Sequence, residues 1–350
     1  MPWHASPELP GIARNPAMAG CLRPVPIRVL GSHLISEWHH MSQLLSDLYT
    51  SFFGASVSVA PEFLALSVLL AWAFYLFKKE KIGFWKWLTP KSIYSHDSHW
   101  LDLKLFVIGR LTTFSGLFGR LSLITLTAYG TSQLVSGGLL ASTPPNPIAL
   151  ALILWIISDF ATYWVHRIHH KQRVLWSLHA VHHSAQVMSP FTAYRQHPLA
   201  VFVIVPFHSI LTGIAQGLLI GPLAPDTAIA EIAGVNAFIV MANVAMINFH
   251  HSHIWISFGP LVERLIISPA QHHIHHSDRP EHFNKNFGQS LAIWDWLFGT
   301  LYVIRGKEDL SFGLGPAETK KMGDHRLVDT LLFPFQSRSR RFGKSGSPSD

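Results

Sequence analysis

The stretch 166–184 reads HRIHHKQRVLWSLHAVHHS, and the apolar runs around it decide what kind of chain this is. Within it His166, His169, His170, His179, His182 and His183 spell His-x-x-His-His twice, and the pattern returns at His272, His275 and His276. An α-helix turns once in ~3.6 residues, so positions i, i+3 and i+4 share a face and each box is expected to present its imidazoles as one group. A lone histidine is usually an ordinary core or surface residue, and a His-rich tract is often mere composition. Here most of the 23 histidines fall in two windows at repeated helical spacing beside long apolar runs, and three such faces are suited to surround metal.

Hydrophobic residues make up 49% of the 350-residue chain and charged residues only 13%, the balance of a membrane protein rather than of two soluble domains. Residues 57–77, 121–141, 147–164, 199–223 and 232–249 are the apolar runs, against the ~20 residues needed to cross a bilayer. Lys78, Lys79 and Lys81 follow the first run at once. Arg167, Lys171, Arg173, Arg195, Arg264 and Arg279 fall on the side of the histidines, which the positive-inside rule places in the cytoplasm. The 142–146 turn, with Pro144 and Pro145, then faces outward. The expectation is an all-α, multi-pass membrane protein with four or five transmembrane helices and a His-rich cytosolic helical cap.

Along the chain, 1–56 is expected to be a loose N-terminal extension, broken by prolines up to Pro26 and lacking the apolar core of a signal peptide. Residues 57–146 are expected to form a first transmembrane hairpin and 147–304 the histidine-bearing domain, polar and mostly helical in pattern beyond His250. Residues 305–350 form a C-terminal segment in which 327–335 suits the membrane interface and the Ser- and Arg-rich end is a disordered basic tail.

The formal charge of +7 would suit nucleic acid, but the basic residues are scattered between apolar spans, so a membrane-facing side is the reading and nucleic acid is not a partner. Cys21 is the single cysteine, which excludes a disulfide framework, a Cys-ligated zinc site and an iron–sulfur cluster built from this chain alone. Metal must be held by histidine and oxygen. His166, His170, His179, His182, His183, His272, His275 and His276 give eight donors, twice the number a tetrahedral zinc takes, so two metals are inferred, each with an open position.

Asp159 lies seven residues before His166 and eleven before His170, so at ~100° per residue all three project within about 20° of one direction. A carboxylate at membrane depth is costly, and it is read as the partner that fixes an imidazole tautomer; the bland reading has it meeting Arg167 or water. Asp295 has the same two readings. His251 and His253 in NFHHSH, with His250, and His197 in YRQHP stand at the two mouths of one hairpin; each is either a ligand or a supporting histidine, and His197, His251 and His253 are carried as candidate ligands. His208, alone in an apolar run, suits packing or a substrate cavity.

These boxes resemble the fatty acid hydroxylase superfamily, also called the sterol desaturase family, over 147–304. SDFATYWVHRIHH is similar to the family's Asp followed by His-x-x-x-His, at Asp159, His166 and His170, with His169 extra. LWSLHAVHHS, then YRQHP, then SPAQHHIHHSDRPEHFNKNFG and WDWLFGT follow in the family's order. NFHHSH departs from it, His253 standing where many relatives carry Asn. The resemblance implies two iron ions, dioxygen activation, and hydroxylation or desaturation of a lipid such as a fatty acyl chain or sterol, with zinc an occupant of purified protein. Without a Gly-x-Gly-x-x-Gly loop or a cysteine cluster, electrons are expected from a separate transfer protein, cytochrome b5-like or a ferredoxin with its reductase. The location implied is a bacterial inner membrane or the endoplasmic reticulum.

Two other classes compete. A zinc hydrolase would want a Glu inside a His-Glu-x-x-His box, where this chain has Arg, Ile, Ala and Val. A metal transporter or sensor would bury ionisable ligands within several spans, whereas only Asp159 lies clearly inside one. The sequence favours the membrane oxidoreductase.

Overall fold

The computed structural model describes residues 27–54, 57–114, 120–136, 146–223, 232, 234, 247–315, 318–319 and 322–338. These residues are helical or irregular, with no strand among them and two isolated bridges, Ile266 with Leu291 and Ser277 with Phe312. The helices are α1 (Ile27–Phe53), α2 (Pro61–Lys78), α3 (Phe84–Leu88), α4 (Lys91–Tyr94), α5 (Asp97–Phe114) and α6 (Arg120–Val135). They continue with α7 (Pro147–Lys171), α8 (Arg173–His183), α9 (Val201–Leu223), α10 (Pro269–His276), α11 (Ile293–Leu297) and α12 (Leu327–Arg338). Contacts divide the chain into two units, Met1–Ser46 and Asp47–Asp350. Half of the expected loose extension is thus helical: the last proline before α2 is Pro26, and nothing after it interrupts α1.

Three described helices are long and apolar enough to cross a membrane: Pro61–Lys78, Ile148–Lys171 and Pro198–Leu223. Of the four or five spans expected, 121–141 is represented by α6, and 232–249 lies largely outside the described residues, as do 142–145 and 339–350. α2 starts on Pro61, whose missing N–H costs nothing at a helix start, and stops where Lys79 turns left-handed at φ 53°. Only Ala71 of α2 is buried, so the helix offers its leucines and aromatics to lipid. α7 starts on Asn146, whose side chain accepts from the Ile148 and Ala149 N–H groups at 2.9 and 3.3 Å.

α6 and α9 run parallel in close contact, because α9 carries Gly213, Gly217 and Gly221 at four-residue spacing. A Cβ on Gly217 would lie 2.5 Å from the Ala128 carbonyl oxygen, and one on Gly221 2.6 Å from that of Ser132. This is the small-residue packing by which helices approach in lipid. α7 runs antiparallel to α9: Thr162 meets His208 at one level, Oγ1 to Nε2 at 3.0 Å, and Leu154 packs with Ile220 further along. α6 therefore lies beside a membrane span along most of its length.

Two stretches carry the chain away from the spans. α7 breaks at Gln172, whose extended backbone turns the chain into α8, and α8 is backed by a core of Leu101, Leu105, Ala180, Val181 and Phe333. Residues 250–304, expected to be mostly helical, form short helices and loops. Pro260, Pro269 and Pro280 interrupt any longer helix. Buried Glu263, Gln271, Asn286 and Asp295 take up the backbone groups that a helical ladder would otherwise pair.

Candidate metal centre

The histidines gather into two groups at the end of α7 where α8 and α10 converge. His166, His170, His179, His183 and His275 form one, and His182, His251, His272 and His276 the other; the ligand atoms within each group lie within 4.8 Å of one another. The boxes are not presented whole, as the i, i+3, i+4 rule alone suggests. Consecutive residues on a helix point ~100° apart, so the His-His pairs of the second and third boxes each give one ring to each group, while the first box gives His166 and His170 to one group. His182 and His183 part in this way on α8, and His275 and His276 on α10. Rings still touch across the divide: His183 stacks on His276 at 4.5 Å between centroids.

The ring nitrogens are arranged as metal donors. His166 and His275 bond through Nδ1 to the Phe287 and Lys285 carbonyls, each at 2.8 Å. A carbonyl only accepts, so Nδ1 carries the proton and Nε2 is a bare lone pair. The Nε2 atoms of His166, His170, His179, His183 and His275 are all buried and without a hydrogen-bond partner. In the second group Nε2 of His251 lies 3.3 Å from that of His182 and 3.0 Å from that of His272, which lies 3.2 Å from that of His276. Buried polar atoms are normally paired, so this many converging nitrogens fit a cation. Burial holds His182 down to about 3 and His275 to about 4, and keeps His179, His183, His251, His272 and His276 well below the ordinary histidine range, with neighbouring imidazoles adding to the effect in all seven. The rings are neutral at pH 7, the form that binds metal.

Asp159 touches no imidazole. Its carboxylate accepts from the Ser290 and Leu291 N–H groups at 3.1 and 3.2 Å and from Trp294 Nε1 at 2.9 Å. It therefore ties α7 to the loop behind the third box, in place of the tautomer-fixing role read from the sequence. The shared projection of Asp159 and His166 ignored their separation along the axis, ~10 Å over seven residues. Asp295, with the same two readings, reaches the centre through one peptide. It accepts from the Phe287 and Gly288 N–H groups at 2.8 and 2.7 Å and from Thr300 Oγ1 at 2.6 Å, holding the peptide whose carbonyl orients His166.

Two of the candidate ligands join neither group. His197 caps the Leu199 N–H through Nδ1 at 3.1 Å and bonds the Leu331 carbonyl through Nε2 at 3.0 Å. His253 bonds the Trp87 carbonyl at 2.9 Å and sits edge-on to Trp87 and Tyr94. Both rings have backbone partners in place of metal neighbours. His169 turns away from the centre to the Val165 carbonyl, and His250 stacks on His272 at 5.0 Å. Glu263 carries no motif that marks it in the sequence. Fully buried, it accepts from Ser257 Oγ, Phe258 N and Ser268 Oγ, and Ser268 in turn caps α10 in a capping box with Gln271. A Ser-x-x-Gln before the third box was the available signal for that cap.

Comparison with known proteins agrees with this arrangement. The fatty acid hydroxylase family profile matches residues 151–300. The chain is 33% identical to alkylglycerol monooxygenase of Danio rerio over 51% of its own length and 35% of the relative's. It is 32% identical to an ornithine lipid hydroxylase of Rhizobium tropici over 56% of this chain and 53% of that one, and 29% identical to a Delta(7)-sterol 5(6)-desaturase of Aspergillus fumigatus over 45% and 49%. The matches span about a third to a half of these relatives' lengths. No solved structure matches significantly. Residues 151–300, which carry Asp159, all three histidine boxes and Asp295, thus match the fatty acid hydroxylase family profile, and the relatives this region aligns with are lipid hydroxylases, monooxygenases and sterol desaturases.

Proposed function

We propose that the protein is a membrane-bound non-haem di-iron oxygenase that hydroxylates or desaturates a C–H bond of a lipid. The observation that carries this reading is the pair of adjoining histidine groups, with unpartnered ring nitrogens, at one end of membrane-spanning helices. His166, His170, His179, His183 and His275 would hold one iron, and His182, His251, His272 and His276 the other. Iron bound there supplies the activation of dioxygen needed to attack an unactivated C–H bond. Zinc would fit the same imidazoles but supplies no redox chemistry, so its presence in purified protein is compatible with the reading.

The chain's own contribution is to keep the imidazoles neutral, oriented and dry. Asp295 and the Phe287 carbonyl fix His166, the Lys285 carbonyl fixes His275, and the surrounding apolar spans would bring the lipid to the centre from the membrane side. Hydroxylation balances as RH + O2 + 2 e− + 2 H+ giving ROH + H2O. The electrons come from a separate carrier on the cytoplasmic side, where Lys78, Arg167 and Lys171 stand.

Expression of the gene in a lipid-producing host under 18O2, followed by mass spectrometry of membrane lipids, tests the proposal. One 18O atom, or loss of two hydrogens, is expected in a lipid of the expressing cells and not in cells carrying His182→Ala. Identical lipid profiles with and without an iron-loaded, folded protein would refute it.

A further inference from the structure

Arg195 is fully buried beside α8, outside both histidine groups, and every arm of its guanidinium is engaged. Nε donates to the Val181 carbonyl and to Ser184 Oγ, both at 3.0 Å. Nη1 donates to Asp102 Oδ1 at 2.7 Å, to the Ser98 carbonyl at 3.0 Å and to Ser98 Oγ at 3.3 Å. Nη2 donates to the Ser184 carbonyl at 3.3 Å and to His325 Nδ1 at 3.2 Å. Asp102, also fully buried, uses its second oxygen to accept from Thr192 Oγ1 at 2.6 Å.

Apart from that to His325, the contacts fall on two elements. Ser98 and Asp102 belong to α5; Val181 and Ser184 form the C-terminal end of α8, where helix carbonyls lack intrahelical partners. Val181 stands between His179 and His182, so the clamp grips the histidine box itself. A slip of α8 by one residue would turn the helix by ~100° and bring His183 to the direction of His182, or His182 to that of His183, although the two serve different groups. The register of this helix end is therefore what two metal sites depend on. The planar fork of arginine can span acceptors on five residues in this way, and a lysine cannot.

We propose that Arg195 is a positioning residue for both metal sites: paired with Asp102, it locks α8 to α5 and fixes which site His182 and His183 each serve. The inference rests on the metal reading above. It also extends the working unit beyond the family-matched residues 151–300, since Asp102 precedes them and His325 follows them.

The test uses the full chain in detergent or nanodiscs, stripped of metal and titrated with ferrous iron under anaerobic conditions. Arg195→Lys and the milder Ser184→Ala are compared with the unaltered protein. The readouts are iron affinity, iron per chain, the number of imidazoles per iron by X-ray absorption, and thermal unfolding of the metal-free form. For Arg195→Lys, iron affinity should fall by about ten-fold or more with fewer imidazoles per iron, in protein whose helical content is unchanged. Ser184→Ala should shift affinity in the same direction by a smaller factor. Variants that unfold at a lower temperature yet bind iron like the unaltered protein would overturn the inference and leave Arg195 a purely structural residue. If Arg195→Lys does not fold, unchanged affinity in Ser184→Ala overturns it alone. An unaltered protein that binds no metal would instead refute the reading on which the inference rests.

Discussion

At the scale of single residues, the repeated His-x-x-His-His pattern named every histidine of the two groups except His251, which NFHHSH supplies, and included His169, which joins neither; it did not show their division. Shared helical faces suggested one group per box, whereas the ~100° step between neighbours sends His182 and His183, and His275 and His276, to different groups. The supporting shell was less legible, because backbone carbonyls leave no mark in a sequence. The Phe287 and Lys285 carbonyls do the orienting that had been assigned to Asp159, and Asp295 does its work through a peptide. Asp295→Ala leaves two buried N–H groups and Thr300 without their acceptor and frees the Phe287 peptide. It should lower iron affinity by about ten- to a hundred-fold, measured by anaerobic titration; Asp295→Asn, which keeps one acceptor oxygen, should lose less. Equal, unchanged affinities would make Asp295 irrelevant to the centre.

The same residues set a pH dependence. His182 and His275 are neutral when folded down to about 3 and 4, whereas an unfolded histidine takes its proton near the usual ~6.5. Between those values the unfolded chain binds more protons, so stability falls as pH falls through the window. Above it neither state is protonated and this contribution is flat. The metal-free protein should show a level unfolding temperature from pH 7 to 8 and a steady loss below about 6.5. An unfolding temperature indifferent to pH from 7 to 5 would contradict the buried, neutral imidazoles.

At the scale of elements, the long apolar runs were legible because a span announces itself by length and composition alone, as α2, α7 and α9 do. The helix that follows Pro26 was not, since the prolines ahead of it coloured the whole segment. Nor were the loops after His250, whose shape is set by side chains bonding backbone far along the chain, as when Asn286 reaches the Gln271 carbonyl and Gln271 that of Tyr302. The glycines of α9 read as weak helix formers in sequence, yet in the fold they are the contact surface with α6. Gly217→Leu places a side chain against the Ala128 carbonyl and Thr131, so the two helices must separate. Overpacking of this kind costs ~1–3 kcal/mol, and a lower unfolding temperature in detergent is expected, while Gly130→Leu, with open space around it, should be tolerated. Similar behaviour of the two variants would dissolve the claim that α6 and α9 are locked together.

At the scale of the whole molecule, parallel α6 and α9 and antiparallel α7 define opposite crossings, and the positive-inside rule supplies the absolute sense. Lys78 and Lys79 end α2, and Lys171 ends α7 beside the histidines. With Cys21 replaced, a cysteine at Asn146 should label from outside the membrane and one at Lys171 only from the cytoplasm; labelling of both from one side would invert or break this topology. On the function proposed above, oxidative chemistry would take place at the surface from which electrons arrive and above the layer in which lipid lies. That placement stands or falls with the metal count. Metal-stripped protein titrated anaerobically with ferrous iron should bind two equivalents per chain, and His275→Ala and His276→Ala, adjacent in sequence, should each weaken a different one of the two. Binding of a single equivalent, or the same site weakened by both substitutions, would contradict the account.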